Sequence, residues 1–329
     1  MNVYKCNDII AYKMKGDYSM SKKTYFYIDD VIWLMRDLTR ERPSSLFDNF
    51  FMKILKQAHE RYGLKVQLNL FYRTDFYYGN DEFTLAEMTD AYKKEWEDNA
   101  DWIRFGFHAK QEFPDYPYIN ASYDDVKSNY EDIRNEVFRF ASKNNWGTTV
   151  NPHWRPISKE GCRALVDCGV KFTCATTGEK KEYNGDPASL PYGHAQRLLN
   201  NKKPETATFI RETKNLAILN SLCGYNHLTE DKLASSLHNL EYYVDKEMGI
   251  NIKTFLVGPL IDQSLLEDIR EEMTKYAEYE FVGWATHEQY FHSDYFGYQP
   301  DIAEKLYTAC EVLKENDFEY IFLEDILEA

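Results

Sequence analysis

Two aspartates that follow directly on an apolar run are the first residues whose types suggest chemistry. Asp29 and Asp30 come after the four apolar residues 25–28. Because side chains alternate along a strand, the two carboxylates are expected to point in different directions, one inward and one toward the rim. A helix N-cap is the structural alternative, since Asp is favoured at that position. The pair therefore marks either a catalytic strand end or the start of a helix.

Histidines end two further apolar runs. His108 is followed four residues later by Glu112, a spacing at which two side chains on one helical turn can bind the same metal ion. His153 is followed by Trp154 and Arg155, a group that suits a polar or anionic substrate. The structural alternatives are a core histidine bonded to the backbone and an arginine paired with a buried carboxylate.

His287 ends the last strong apolar run and is followed by Glu288. Three of the eight histidines of the chain thus directly end predicted strands. We expect His108, His153 and His287 to converge on one face of the fold.

The elements that position these residues alternate between strand and helix patterns. This alternation predicts an α/β fold, and the number of units favours a closed (β/α)7–8 TIM-like barrel over a doubly wound sheet. No G-x-G-x-x-G or P-loop motif supports a nucleotide-binding sheet. In a parallel barrel, functional side chains gather at the C-terminal ends of the strands. The predicted strands are 24–29, 65–72, 102–108, 148–153, 170–175, 216–220, 252–257, 280–285 and 319–323.

One long segment interrupts the alternation of strand and helix patterns. Residues 176–214 are rich in Gly, Pro, Asn and Lys, and they predict a long excursion over one face of the barrel. Further along, Leu233, Leu237, Leu240 and Val244 have the spacing of one helical face, which predicts a helix ending near Gly249. No linker or repeat divides the chain, so residues 1–329 are expected to form a single domain.

Charge and composition exclude several classes of partner. The chain has 39 Lys and Arg against 54 Asp and Glu, a net charge of −15, which disfavours sequence-independent nucleic-acid binding and adhesion to anionic membranes. Residues 1–15 lack the apolar core of a secretory signal, and no apolar stretch is long enough to cross a membrane. The six cysteines form no C-x-x-C pair, which is typical of a reducing cytoplasm. We expect a cytoplasmic protein that binds neither nucleic acid nor membrane.

Aromatic residues are unusually frequent, at 16% of the chain with 26 Tyr. Aromatic rings can stack on the C–H faces of sugars or on bases, and Tyr adds a polar group at its rim. The alternative is a core and surface rich in Tyr. A carbohydrate or another small polar molecule is therefore one candidate substrate.

The motifs together resemble the polysaccharide deacetylase superfamily, over roughly residues 24–326. Its first motif is a strand that ends in two aspartates, as at Asp29 and Asp30. Its second motif is a His followed four residues later by another His; His108 matches the first position, and Glu112 stands at the second. Arg155-Pro156 is similar to the third motif, and His287 to the final one.

The resemblance implies a distorted (β/α)7 barrel and a role for each matching residue. Asp29 would act as general base and His287 as general acid. A divalent ion, most simply zinc, would be held by Asp30, His108 and Glu112, and Arg155 would orient Asp29 or contact substrate. His153, Trp154, Tyr72 and Arg73 would line a cleft for an acylated sugar. The implied activity is metal-dependent removal of an N- or O-acyl group.

Two other interpretations stay open. A metal-independent glycoside hydrolase would use Asp29 or Asp30 with Glu112 or Glu288 as its carboxylate pair. A barrel that has lost its metal site would bind carbohydrate without catalysis, and the Glu112 replacement favours that outcome.

Overall fold

The computed structural model describes residues 9–12, 22–74, 82–112, 117–118, 121–155, 157–174, 238–245, 249–253, 258–295 and 297–327. The predicted excursion at 176–214 and the predicted strand at 216–220 lie outside these residues. Strands and helices alternate through most of the described chain. Its strands are β1 (Ile9–Tyr12), β2 (Lys22–Val31), β3 (Val66–Phe71), β4 (Ile103–Ala109), β5 (Thr149–Val150), β6 (Phe172–Cys174), β7 (Tyr242–Asp245), β8 (Ile250–Lys253), β9 (Phe281–His287) and β10 (Phe318–Tyr320).

Seven α-helices lie between the described strands. Three of them have a side-chain N-cap: Asn49 caps α2 (Phe50–Tyr62), and Gly63, with φ of 74°, ends it, as glycine allows. Ser122 and Ser158 cap α4 and α5 in the same way as Asn49. The helices are α1 (Trp33–Glu41), α2 (Phe50–Tyr62), α3 (Lys93–Asp98), α4 (Tyr123–Phe140), α5 (Lys159–Asp167), α6 (Leu266–Tyr276) and α7 (Ile302–Glu315).

The strands form two sheets. In one, β2 pairs in parallel with β3, β9 and β10, and β3 pairs in parallel with β4. In the other, β5, β6 and β8 are parallel, while β7 runs antiparallel to both β8 and β1. The α/β class and the parallel arrangement predicted from sequence are confirmed; closure into one barrel stays a prediction.

Side chains from both sheets meet in one apolar cluster. Tyr25 and Tyr27 of β2 pack there with Phe172 of β6 and Ala285 of β9. The alternate residues of β2, Phe26 and Ile28, belong to the other apolar cluster of the described residues, to which the helices contribute. Much of the aromatic excess is therefore core, since residues 25–27 are completely buried.

One predicted helix is wrong. Tyr242–Asp245 is strand β7, whereas the spacing of Leu240 and Val244 had predicted a helix. The segment is rich in aromatic and β-branched residues, which favour strands. Its neighbours supply pairing on both sides, Tyr243 with Ile252 and Val244 with Ile10. Leu233 and Leu237 lie outside the described residues.

Two register shifts fall where the candidate functional residues stand. The pairing of β2 with β3 shifts between Ile28 and Val31, which brackets the two aspartates. The pairing of β3 with β4 shifts so that Leu70 pairs with Phe107 and Phe71 with Ala109, leaving His108 without a partner in the ladder. Such bulges turn side chains away from strict alternation and are frequent beside active sites.

Candidate metal centre

Asp30, His108 and His153 form a buried cluster of potential metal ligands. Oδ1 of Asp30 lies 3.0 Å from Nε2 of His108 and 3.4 Å from Nδ1 of His153. The two histidine nitrogens are 3.0 Å apart. Atoms bonded at 2.0–2.1 Å to a tetrahedral zinc ion lie about 3.3 Å from one another. The three separations are therefore close to those that one zinc ion requires.

Backbone carbonyls fix the ring orientation of both histidines. Nδ1 of His108 lies 2.6 Å from the carbonyl oxygen of Asn151, and Nε2 of His153 lies 3.0 Å from that of Glu112. Each of these nitrogens donates its proton to the carbonyl, so the other ring nitrogen presents a lone pair. Both lone pairs face Asp30.

The cluster consequently needs a positive charge. Oδ1 of Asp30 has no hydrogen-bond donor among the described residues unless His108 or His153 is protonated. Burial alone would raise the pKa of Asp30, but the adjoining imidazole groups of His108 and His153 hold it well below its ordinary value. Burial would likewise lower the pKa of His108, yet Asp29 and Asp30 raise it. A divalent cation fits these donor atoms and supplies the charge without a bound proton.

Glu112 lies outside this cluster, and His153, which was predicted to bind substrate, lies within it. Oε1 of Glu112 is 3.9 Å from Nε2 of His153, on the side of the ring away from Asp30. The four-residue spacing brings two ligands together only on a helix. Here β4 ends at Ala109 and residues 110–112 form a bend, so His108 and Glu112 do not share a helical face.

Asp29 lies beside the cluster and accepts hydrogen bonds from two side-chain amides. Its Oδ1 accepts a hydrogen bond of 2.7 Å from Nδ2 of Asn69, and its Oδ2 one of 2.9 Å from Nδ2 of Asn151. Asn69 is itself held by Gln67, whose Nε2 donates to its Oδ1 over 2.7 Å. Burial would lower the pKa of Arg155, but Cys174, Tyr27 and then Asp29 raise it. Asp29 is thus a fixed carboxylate with its charge partly balanced.

His287 lies on the strand next to Asp29, with which it is paired in register. Nδ1 of His287 is 3.2 Å from Oδ1 of Asp262, a buried residue. Burial would lower the pKa of His287, but Asp262, Asp30 and Asp29 together raise it to about 10. His287 is therefore an imidazolium at neutral pH.

Asp262 is a site residue that the sequence patterns did not reveal. It follows the apolar pair Leu260 and Ile261, and Leu260 forms a parallel bridge with Ala285 of β9. The predicted strand at 252–257 ended before this bridge. An acidic residue directly after an apolar pair was the available signal.

Glu288, a candidate for a glycosidase carboxylate, is engaged in capping α1. Its Oε2 accepts hydrogen bonds of 2.7 and 2.8 Å from the backbone N–H groups of Ile32 and Trp33, and its Oε1 one of 2.7 Å from Leu34. The cap residue of this helix has no side-chain capping bond of its own. The distant carboxylate thus satisfies the free N–H groups of the first turn.

The expected cleft residues separate into two groups. Arg73 lines a small pocket together with Asp30, Glu112 and Trp33. The ring of Trp154 lies 6.1 Å from that of His153.

Tyr72 belongs to another environment. Burial raises its pKa, as do the carboxylates of Glu136 and Asp132 on helix α4. Its neighbour Phe71 contacts the cluster instead, with ring centroids 5.4 Å from His108 and 5.1 Å from His153.

Backbone strain is concentrated at the same place. Asp30, Trp154 and Arg155 all have positive φ, at 64°, 60° and 71°. This conformation is disfavoured for residues other than glycine and is retained at functional sites when the surroundings enforce it. The site is therefore held in a conformation that its local sequence alone would not adopt.

No helix within the described residues is both long enough and apolar enough to cross a membrane. No protein-family profile and no curated protein matches the sequence. Among solved structures, the chain is similar to 4-alpha-glucanotransferase from Thermococcus litoralis, with 9% identity and a TM-score of 0.47 over 93% of this chain. The chain spans 40% of the length of that enzyme. At this distance, its function has to be argued from its own residues.

Proposed function

We propose that the protein is a metal-dependent hydrolase that removes an acyl group from a carbohydrate. The observation that carries this proposal is the buried cluster of Asp30, His108 and His153, in which three acceptor atoms face one another. The resemblance to polysaccharide deacetylases supports the acylated sugar as substrate. A distorted (β/α) barrel, with the site at the carboxyl ends of its strands, is the architecture proposed with it.

Asp30, His108 and His153 would hold the ion, and zinc is the ion best matched to one carboxylate and two imidazole ligands. When bound, such an ion polarises a carbonyl group and lowers the pKa of water. Asp30 would contribute the negative charge, while Asn151 and the backbone of Glu112 keep the imidazoles in the required tautomers. Three protein ligands are the number found in catalytic zinc sites.

Asp29 and His287 would move the protons of the reaction. Asp29 would accept the proton of the attacking water. The amides of Asn69 and Asn151 orient both its oxygens, and an amide does not transfer its own proton to a carboxylate. His287 would donate a proton to the leaving amine or alkoxide, since Asp262 keeps it protonated. Arg155 would keep Asp29 in place and balance its charge.

A glycoside hydrolase mechanism is less well supported by this arrangement. That chemistry needs two carboxyl groups on either side of an open cleft. The carboxylate of Glu288 already accepts hydrogen bonds from three backbone N–H groups at the start of α1. Asp30 points at the two histidines.

Acetate release tests the proposal. The chain is stripped of metal, reloaded with zinc, cobalt or manganese, and incubated with N-acetylglucosamine oligomers and O-acetylated xylan oligomers. We expect metal-dependent release from one of these substrate classes. Asp29→Asn should reduce it about 10²-fold or more, whereas Asp98→Asn, on an exposed helix, should not change it. Release from neither class by the metal-loaded chain, or equal release by Asp29→Asn, would contradict the proposal.

A further inference from the structure

The strained turn at Asp30 is contacted by three consecutive residues at the end of β9: His287, Glu288 and Gln289. His287 is the last residue of β9 and is paired with Asp29. Glu288 and Gln289 then reach across to the other side of the same turn. One short segment therefore contacts the chain before, at and after Asp30.

Asp30 has its two carboxylate oxygens in different environments. Oδ1 faces His108 and His153, and Oδ2 accepts a hydrogen bond of 3.0 Å from Nε2 of Gln289. Because a carboxylate is planar and rotates about one bond, fixing Oδ2 also fixes the direction of Oδ1. Gln289 thus determines whether Oδ1 points at the histidine nitrogens.

Glu288 holds the backbone of the same turn. Its bonds to the N–H groups of Ile32, Trp33 and Leu34 begin two residues after Asp30. Asp30 itself has φ of 64°, which costs free energy for a residue with a Cβ atom. A buried carboxylate with three donors is a strong anchor, and it keeps the turn from relaxing.

From these contacts we infer that Glu288 and Gln289 are positioning residues that set the metal affinity of the cluster, Glu288 by enforcing the turn and Gln289 by orienting the carboxylate of Asp30. The inference rests on the proposed function only in requiring that the cluster binds a metal ion. Residues in the second layer around a metal typically change its affinity by about 10- to 100-fold.

The test uses two variants of Gln289 that separate hydrogen bonding from packing. Gln289→Met keeps nearly the same shape but has no donor, and Gln289→Ala removes both. If Gln289 acts through its hydrogen bond, both variants weaken zinc binding by about tenfold or more. If it only fills space, Met restores the affinity. Gln57→Ala, on the remote helix α2, is the control, because it removes the hydrogen bond that Gln57 accepts from the hydroxyl of Tyr307.

Zinc affinity is measured on the full metal-free chain by competition with a chromogenic chelator, and the cobalt-substituted chain gives a visible spectrum that reports ligand geometry. We expect Gln289→Met to change this spectrum and Gln57→Ala to leave it unchanged. Wild-type affinity in Gln289→Met would overturn the inference while leaving the proposed function intact. If the wild-type chain itself binds no zinc, the inference and the proposed function both fail.

Discussion

Nε2 of His108 and Nδ1 of His153 lie 3.0 Å apart, each with its proton placed on the opposite ring nitrogen by a backbone carbonyl. Two lone pairs at this distance repel unless a proton or a metal cation lies between them. Oδ1 of Asp30 adds a third acceptor. The electrostatics of the buried cluster, as well as its ligand types, therefore suit it to a metal ion.

His287 should titrate far above the ordinary range of histidine. Burial would lower its pKa, but Asp262 and the nearby aspartates raise it to about 10. In NMR titration of the metal-free chain, we expect wild-type His287 to stay protonated at pH 8. Asp262→Asn should shift its titration to lower pH. His238, whose pKa is lowered by burial and by Lys253, is the internal reference and should titrate equally in both proteins.

The same shift predicts a pH-dependent contribution to stability. Because the folded-state pKa is raised, the contribution of His287 is complete below its unfolded value of about 6.5 and is lost as pH rises toward 10,. The difference in unfolding free energy between wild type and His287→Gln should therefore shrink from pH 6 to pH 10. A difference that grows with pH would contradict the assigned charge.

Glu288 should contribute strongly to the free energy of unfolding. Glu288→Ala leaves three buried backbone N–H groups of α1 without their acceptor, so we expect a loss of about 3 kcal/mol or more in urea unfolding. Glu311→Ala, which removes a surface ion pair with Arg270, should cost less than about 1 kcal/mol. A catalytic carboxylate would behave differently, losing activity at nearly unchanged stability.

Gly106 should tolerate no side chain. A Cβ atom there would overlap Oδ1 of Asn69 and Nε2 of Gln67, the two amides that lead to Asp29. We expect Gly106→Ala to cost about 1–3 kcal/mol by overpacking. In a chain in which Gln67 and Asn69 are already alanine, the same change should cost less than about 0.5 kcal/mol. Equal costs in both backgrounds would show that the amides are not the obstacle.

The sequence patterns predicted the positions of strands and helices better than they predicted which residues contact one another. β2, β3, β4 and β9 carry strong apolar runs, so the positions of Asp29, Asp30, His108 and His287 at their ends followed from local pattern. β7 was predicted as helix because its strand state depends on pairing with β1 and β8, which no local spacing records.

The candidate metal ligands could be identified only from the three-dimensional structure. The spacing of His108 and Glu112 matters only on a helix, and residues 110–112 form a bend instead. His153 reaches the cluster from 45 positions along the chain. Asp262 contacts His287 across 25 positions, and Glu288 contacts Leu34 across 254. Such contacts are set by how the strands assemble, which single-sequence periodicity does not contain.

Zinc titration of the metal-free chain, compared among wild type, His153→Ala and Glu112→Gln, tests the central claim most directly. The structure predicts one tightly bound ion per chain in wild type, loss of that binding in His153→Ala, and binding close to wild type in Glu112→Gln. Absence of binding in wild type would contradict the claim. So would a reversed pattern, in which Glu112→Gln loses the ion and His153→Ala keeps it.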